Sequence, residues 1–63
     1  MGKVQINTID NIVIVGELIG AKVNDKGEVI RIVRVENMPN LKGQEIEINE
    51  NETFAIFNQV AGN

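Results

Sequence analysis

The stretch from Asn11 to Met38, NIVIVGELIGAKVNDKGEVIRIVRVENM, has apolar residues on both faces of what its pattern predicts to be a β-hairpin. β-Branched residues favour the extended state, and the segment NDKG at 24–27 places glycine where a tight turn needs positive φ. An antiparallel sheet commonly has one apolar face and one solvated face. Any fold for this chain must therefore cover a second apolar face.

Side-chain chemistry predicts the register of this hairpin. If Leu18 faces Val33, apolar residues meet, and the neighbouring pair places Glu17 opposite Arg34. A slip of one residue would put Leu18 beside Arg34, which disfavours that alternative. The preferred register also pairs Gly16 with Val35, Ile19 with Ile32, Ala21 with Ile30 and Val23 with Glu28.

Two further strands have a clear period of two. In the first, Val4, Ile6 and Thr8 alternate with polar residues, which predicts a strand with one wet face. In the second, QEIEI at 44–48 turns isoleucines to one face and glutamates to the other. The β-branched run 12–15 predicts a buried strand that is too short to cross a membrane, Gly16 and Gly20 predict bends, and residues 38–43 predict a loop.

The C-terminal segment has two interpretations. Thr53 to Phe57 fits a last strand in which Ile48 faces Phe54 and Ile46 faces Ile56. Alternatively, Asn51 to Ala61 fits a short helix that is capped by Asn49 or Asn51 and stopped by Gly62. The strand is the preferred prediction.

Chain length limits the fold to one small domain, residues 1–63. A chain of this size buries only about 60 % of the surface that it exposes when unfolded. It contains neither cysteine nor histidine, so disulfide and zinc stabilisation are not expected. We expect a mostly β fold, either a small bent antiparallel sheet or an SH3/OB-like barrel of four or five strands, with a short C-terminal helix as the open alternative.

The second apolar face predicts self-association. Bending at the glycines would turn part of it inward, and a neighbouring subunit would cover the remainder. Covering four to six side chains at about 1.5–3 kcal/mol each would stabilise a small domain substantially. We therefore expect a homo-oligomer.

Enzyme activity is not expected. The chain has no His, Cys, Ser, Tyr or Trp, the residues that supply most nucleophiles and neutral-pH proton shuttles. No motif predicts a metal or a cofactor. The N-terminus lacks the apolar core of a signal peptide, which predicts a cytoplasmic protein.

Three basic residues are the candidate ligand contacts: Arg31, Arg34 and Lys22. Arg31 is predicted to stand opposite Gly20, where no bulky neighbour would stop its guanidinium from reaching a phosphate or a carboxylate. Arg34 has an alternative role as the ion-pair partner of Glu17.

Acidic residues are concentrated in the second half of the chain, where residues 36–63 contain five acidic side chains and one basic. Four of them are the candidate partner contacts: Glu45, Glu47, Glu50 and Glu52. They fit attraction of a basic surface, and they equally fit the wet face of an edge hairpin. Phe54 and Phe57 are expected to pack in the core rather than to stack nucleic-acid bases.

Taken together, these features predict a non-catalytic binding protein that inhibits or sequesters a host protein or a small anionic, nucleotide-like ligand. The many Ile and Asn residues against two Arg suggest a bacterial or phage source. The alternatives are an SH3/OB-like nucleic-acid-binding module, which an acidic chain disfavours, and a structural subunit of a larger assembly.

Overall fold

Five antiparallel strands form a single open sheet. A computed structural model describes residues 2–59 and contains β1 (Lys3–Thr8), β2 (Val13–Val23), β3 (Val29–Val35), β4 (Glu45–Asn49) and β5 (Thr53–Gln59). A 3₁₀ helix, Glu50–Glu52, separates β4 from β5. The strand order is β4-β3-β2-β1-β5, so β4 and β5 are the edges. The predicted mostly β fold is confirmed, as an open sheet rather than a closed barrel.

The β2–β3 turn forms as its residues predict. Asn24 and Glu28 close a three-residue loop through the bond from Asn24 N–H to Glu28 O, 3.0 Å. Gly27 takes a φ of 79°, and the Asn24 side-chain oxygen accepts from the N–H groups of Lys26 and Glu28 at 2.9 Å each. Glycine is needed at the left-handed position, and asparagine bonds its own turn.

The hairpin register is confirmed at one end only. Gly16 faces Val35, Glu17 faces Arg34 and Leu18 faces Val33, as predicted. Ile19 is then an extra residue, a β-bulge, so Gly20 faces Ile32 and Ala21 faces Arg31. The predicted pairs Ile19 with Ile32, Ala21 with Ile30 and Val23 with Glu28 are therefore wrong, because an extra residue moves all later partners by one.

The core lies on one face of the sheet. Its buried residues come from four strands and are Val4, Ile6, Ile14, Val33, Val35 and Ile48. Met38 and Leu41 from the β3–β4 loop pack against them, with Leu18, Ile46 and Ile56. The β3–β4 loop therefore covers part of the core face of the sheet.

The second face is partly shielded within the chain. Ile30 and Ile32 are half-buried there, opposite Lys22 and Gly20 on β2. Glu47 lies across from Ile32 on β4. Long charged side chains can bury their aliphatic stems on such a surface while their charged ends stay in water. The predicted buried run 12–15 is wrong at Ile12, which precedes β2, and at Val13, the first residue of β2, because both are exposed.

Gly16 on β2 lies directly against the backbone of β3. A Cβ atom at this position would sit 2.1 Å from the Arg34 carbonyl oxygen and 2.9 Å from Val33 Cγ1. No side chain fits there without moving the backbone of β3. Gly20 has no atom within 4 Å of the same test position, so a side chain there would meet no obstacle.

The last element is a strand, as preferred, but its partner differs from the prediction. β5 pairs antiparallel with β1, with Ile56 facing Ile6 and Phe57 facing Gln5. The predicted pairing of β5 with β4 is wrong, because the 3₁₀ helix turns the chain away from β4 instead of closing a hairpin. The helix alternative is contradicted for residues 53–59, and Ala61 and Gly62 lie outside the described residues.

Candidate interaction surfaces

Two of the three predicted ligand contacts are already engaged in ion pairs. Arg34 lies between Glu17 and Glu45, with N···O distances of 3.3 and 3.2 Å, and Lys22 Nζ lies 2.9 Å from Glu47 Oε2. Both basic side chains lie on the face opposite the core, where their registers place them. A ligand anion there would have to compete with three carboxylates.

Arg31 is on the other face. It stands opposite Ala21 on β2, not Gly20 as predicted, and opposite the buried Ile48 on β4. The register therefore separates Arg31 from Arg34 and Lys22 by the thickness of the sheet. The structure brings Arg34 and Lys22 to one surface and leaves Arg31 outside it.

The four predicted acidic contacts also divide. Glu45 and Glu47 are exposed on β4 and form the ion pairs just described. Glu50 Oε2 accepts a hydrogen bond from Val29 N–H at 3.1 Å. Glu52 is exposed, and its backbone carbonyl accepts from Ile9 N–H at 3.0 Å. This set is therefore a series of local contacts rather than one free acidic surface.

A carboxylate next to these residues ties two loops together. Glu28 accepts hydrogen bonds from the side-chain amides of Asn24 at 2.8 Å, Asn49 at 3.1 Å and Asn51. The bonds from Asn24 and then Asn49 hold the pKa of Glu28 below its ordinary value, because they favour the charged form. Sequence reasoning did not single out this residue, since its partners lie 4 to 23 positions away.

At the other end of the sheet, Lys3 Nζ lies 2.7 Å from Glu36 Oε1. This hydrogen bond, together with the charge of Glu36, raises the pKa of Lys3 above its ordinary value. β3 ends at Val35, and the side chain of Asn37 continues the hydrogen bonding to the backbone of β2. The Asn37 side-chain oxygen accepts from Val15 N–H at 2.9 Å, and its amide donates to Val13 O at 2.8 Å.

Four of the six large apolar side chains that are exposed within residues 2–59 lie where β1 turns into β2 and β5 begins. We define the apolar end as Ile9, Ile12, Val13 and Phe54; Phe54 is 79 % exposed and Ile9 is 59 % exposed. Thr8 faces Thr53 and Asn7 faces both Val13 and Ala55, which brings these segments to the same end. Asp10 and Glu52, both exposed, flank it.

The core assignment of the two phenylalanines is wrong. Phe54 is the residue skipped by a register shift between β1 and β5, so its side chain is not held over the core. Phe57 faces Gln5 on the outer side of the sheet and is 51 % exposed. Parity was an available signal for Phe57 only, because it is adjacent to Ile56, which packs against the core. Phe54 has the same parity as Ile56, so only the register shift removes it from the core face.

Residues 2–59 form no pocket and contain no group of acidic side chains arranged to hold a metal ion. Within this range, no helix is both long and apolar enough to cross a bilayer. No protein-family model, curated protein or solved structure matches the chain.

Proposed function

We propose that the protein is a non-catalytic binding protein that holds another protein through the apolar end. The observation that carries this proposal is the grouping of Ile9, Ile12, Val13 and Phe54, which are all exposed at one end of the sheet. Scattered single apolar residues are normal on a protein surface, whereas a grouped patch is typical of an interaction site. Inhibition or sequestration of a host protein is the activity that this surface would serve.

The chemistry of the apolar end also indicates the kind of partner. Aromatic and aliphatic side chains form its centre, while Asp10 and Glu52 form an acidic border. Stable interfaces combine an apolar centre with a polar rim, and opposite charges at the rim steer association. The partner is therefore a protein whose exposed apolar patch is bordered by Lys or Arg. Burial of the Phe54 side chain would contribute on the order of 1.5–3 kcal/mol.

Anion binding receives less support from the geometry. Arg34 and Lys22 are each held by glutamates, and Arg31 lies on the opposite face. Displacing these carboxylates would offset much of what a phosphate contact contributes. Nucleic-acid binding meets the same obstacle and faces a net charge of −3.

The test is affinity capture from host extract with three immobilised forms of the protein: wild type, Phe54→Asp and Val23→Asp. Val23 is 65 % exposed on the distant β2–β3 hairpin, so its replacement is the matched control. We expect one protein to be retained by the wild type and by Val23→Asp, and lost from Phe54→Asp.

High salt gives the second arm of this experiment. Apolar contacts persist as ionic strength rises, whereas phosphate contacts weaken steeply. Equal retention of the same proteins by all three forms would contradict the proposal. Retention of nucleic acid alone, released by salt, would favour the nucleic-acid module instead.

A further inference from the structure

The free edge of β5 presents backbone hydrogen-bonding groups to solvent. Thr8 N–H donates to Ile12 O, on the β2 side of β1, and Gly2 O accepts from Leu18 N–H on the same side. Because successive residues of a strand bond to opposite sides, the odd-numbered residues of β1 bond to β5. Their partners Ala55 and Phe57 therefore point towards β1.

It follows that the intervening residues Ile56 and Asn58 direct their N–H and C=O groups away from the sheet. Among residues 2–59 this edge has no neighbouring strand, since β5 ends the strand order. Unpaired edges of this kind are templates for pairing with another chain. The β5 edge is thus equipped to add one more strand.

The sequence of β5 lacks the usual protection against such pairing. Its seven residues, TFAIFNQ, contain no charged side chain and no proline. Natural edge strands are commonly protected by charges, prolines or coverage. The opposite edge follows this rule, because β4 reads EIEIN and has Glu45 and Glu47 on its exposed face.

We propose that β5 pairs antiparallel with β5 of a second copy of the chain, around a two-fold axis at Phe57. This register places Phe57 opposite the same residue of the other copy, and Ile56 opposite its Asn58. Ile56 and Asn58 are the outward-pointing residues of the regular part of β5, so this register satisfies both of them in each copy. A two-fold axis at Ile56 would instead use Phe54, which lies at the register shift.

The register selects a second copy as the occupant, because the two outward residues, Ile56 and Asn58, pair with each other about this axis. Two chains of net charge −3 repel each other, and an uncharged strand is where they approach with the smallest electrostatic cost. On the outer face the axis brings together two Phe57 rings, each 51 % exposed alone. Aromatic pairs across neighbouring strands stabilise a sheet.

The same chemistry ends the assembly at two copies. Head-to-tail pairing of β5 with β4 of another chain would generate an open fibre. It would also bring an apolar strand against Glu45 and Glu47 and remove their ion pairs with Arg34 and Lys22 from water. Only the β5–β5 contact avoids this desolvation. The resulting dimer goes beyond the proposed function, and it carries two apolar ends.

Sedimentation velocity across micromolar to millimolar concentrations tests the dimer. We expect the wild type to move from 7.0 kDa to twice that mass as concentration rises. Phe57→Glu places two carboxylates face to face and should weaken association about a hundredfold. The control Val23→Glu, at a comparably exposed site away from β5, should dimerise like the wild type.

Mixing two variants tests the position of the axis. Phe57→Glu and Phe57→Lys should each be monomeric alone, and their mixture should regain the dimer because the axis brings the two substituted residues together. If either variant fails to fold, Asn58→Pro replaces it, since that substitution removes an outward N–H while leaving the bonds to β1. A wild type that stays monomeric throughout, a Phe57→Glu or Asn58→Pro variant that dimerises like the wild type, or a mixture that stays monomeric would overturn the proposal.

Discussion

The two edges of the sheet differ in chemistry although both are open to solvent. β4 alternates isoleucine with Glu45 and Glu47, and both carboxylates are held in ion pairs. β5 has no charge in seven residues and exposes half or more of the surface of Phe54 and Phe57. Both edges are exposed to solvent, so exposure alone does not account for the difference in their side chains. On our account, the β4 edge resists strand addition and the β5 edge accepts it.

The same contrast extends into the sheet, because β2 is the central strand, with β3 and β4 on one side and β1 and β5 on the other. Its first part, up to Leu18, lies beside β1 and the apolar end. β3 pairs with both parts of β2, and beyond the bulge at Ile19 the Lys22 side chain reaches Glu47 on β4. The ion pairs of β4 with Arg34 and Lys22 therefore lie on the side of β2 that is away from β1 and β5.

The largest expected effect on stability comes from Gly16, where β2 lies against the backbone of β3. Gly16→Ala should lower the free energy of unfolding by about 3 kcal/mol, because its Cβ would overlap the Arg34 carbonyl. Denaturant unfolding measures this, with Gly20→Ala as the matched control. Gly20 has open space, so its replacement should change stability by no more than about 0.5 kcal/mol. Equal effects of the two substitutions on stability would contradict the steric overlap expected at Gly16.

Sequence reasoning predicted all five strands but not all their partners. Leu18 facing Val33 followed from matching side chains, and Gly27 followed from the turn. The bulge at Ile19 was not predictable in the same way. Ile19 and Gly20 have no local pattern that marks it, and matching side chains across the hairpin favoured a register without it.

The candidate sites show the same limit. The ion pair of Arg34 with Glu17 was foreseen from register, whereas its second partner Glu45 comes from a strand whose pairing was not predicted. Phe54 and Phe57 were placed in the core because aromatic residues usually lie there. Their exposure depends on β5 pairing with β1, a contact between the two ends of the chain.

Glu28 is expected to contribute to the stability of the fold in a way that is lost in acid. The pKa of Glu28 is lower in the folded chain than its ordinary value of 4.5. Its stabilisation is therefore fully present above that value and is lost as the pH falls through the folded pKa. Glu28→Gln should be less stable than the wild type at neutral pH, and the gap should narrow in acid.

Urea unfolding between neutral and acidic pH measures this gap. Glu52→Gln is the control, because the Glu52 side chain forms no hydrogen bond or ion pair within residues 2–59. It removes one charge without removing the amide contacts. A gap for Glu28→Gln that stays constant with pH would show that the asparagine contacts do not favour the carboxylate.

The smallest effect is expected from the ion pairs on the outer face. Arg34→Met removes the contacts to Glu17 and Glu45, which are partly exposed, and should cost about 0.5–1 kcal/mol at low salt. High salt should remove most of this difference. Lys42→Met is the control, since Lys42 has no ion pair within the described part of the chain. A loss that persists at high salt would mean that packing rather than charge is responsible.

Amide hydrogen exchange at two protein concentrations tests the contrast between the edges most directly. The outward N–H groups of Ile56 and Asn58 on β5 should exchange quickly in dilute solution and become protected in concentrated solution. On β4 the outward groups belong to Glu45 and Glu47, because Val35 bonds to Gln44 and Gly43 on that side and the partners of β3 alternate from there. These β4 amides should exchange at the same rate in both samples. Protection that rises equally at both edges, or at neither, would contradict the claim that the uncharged edge is the one that pairs.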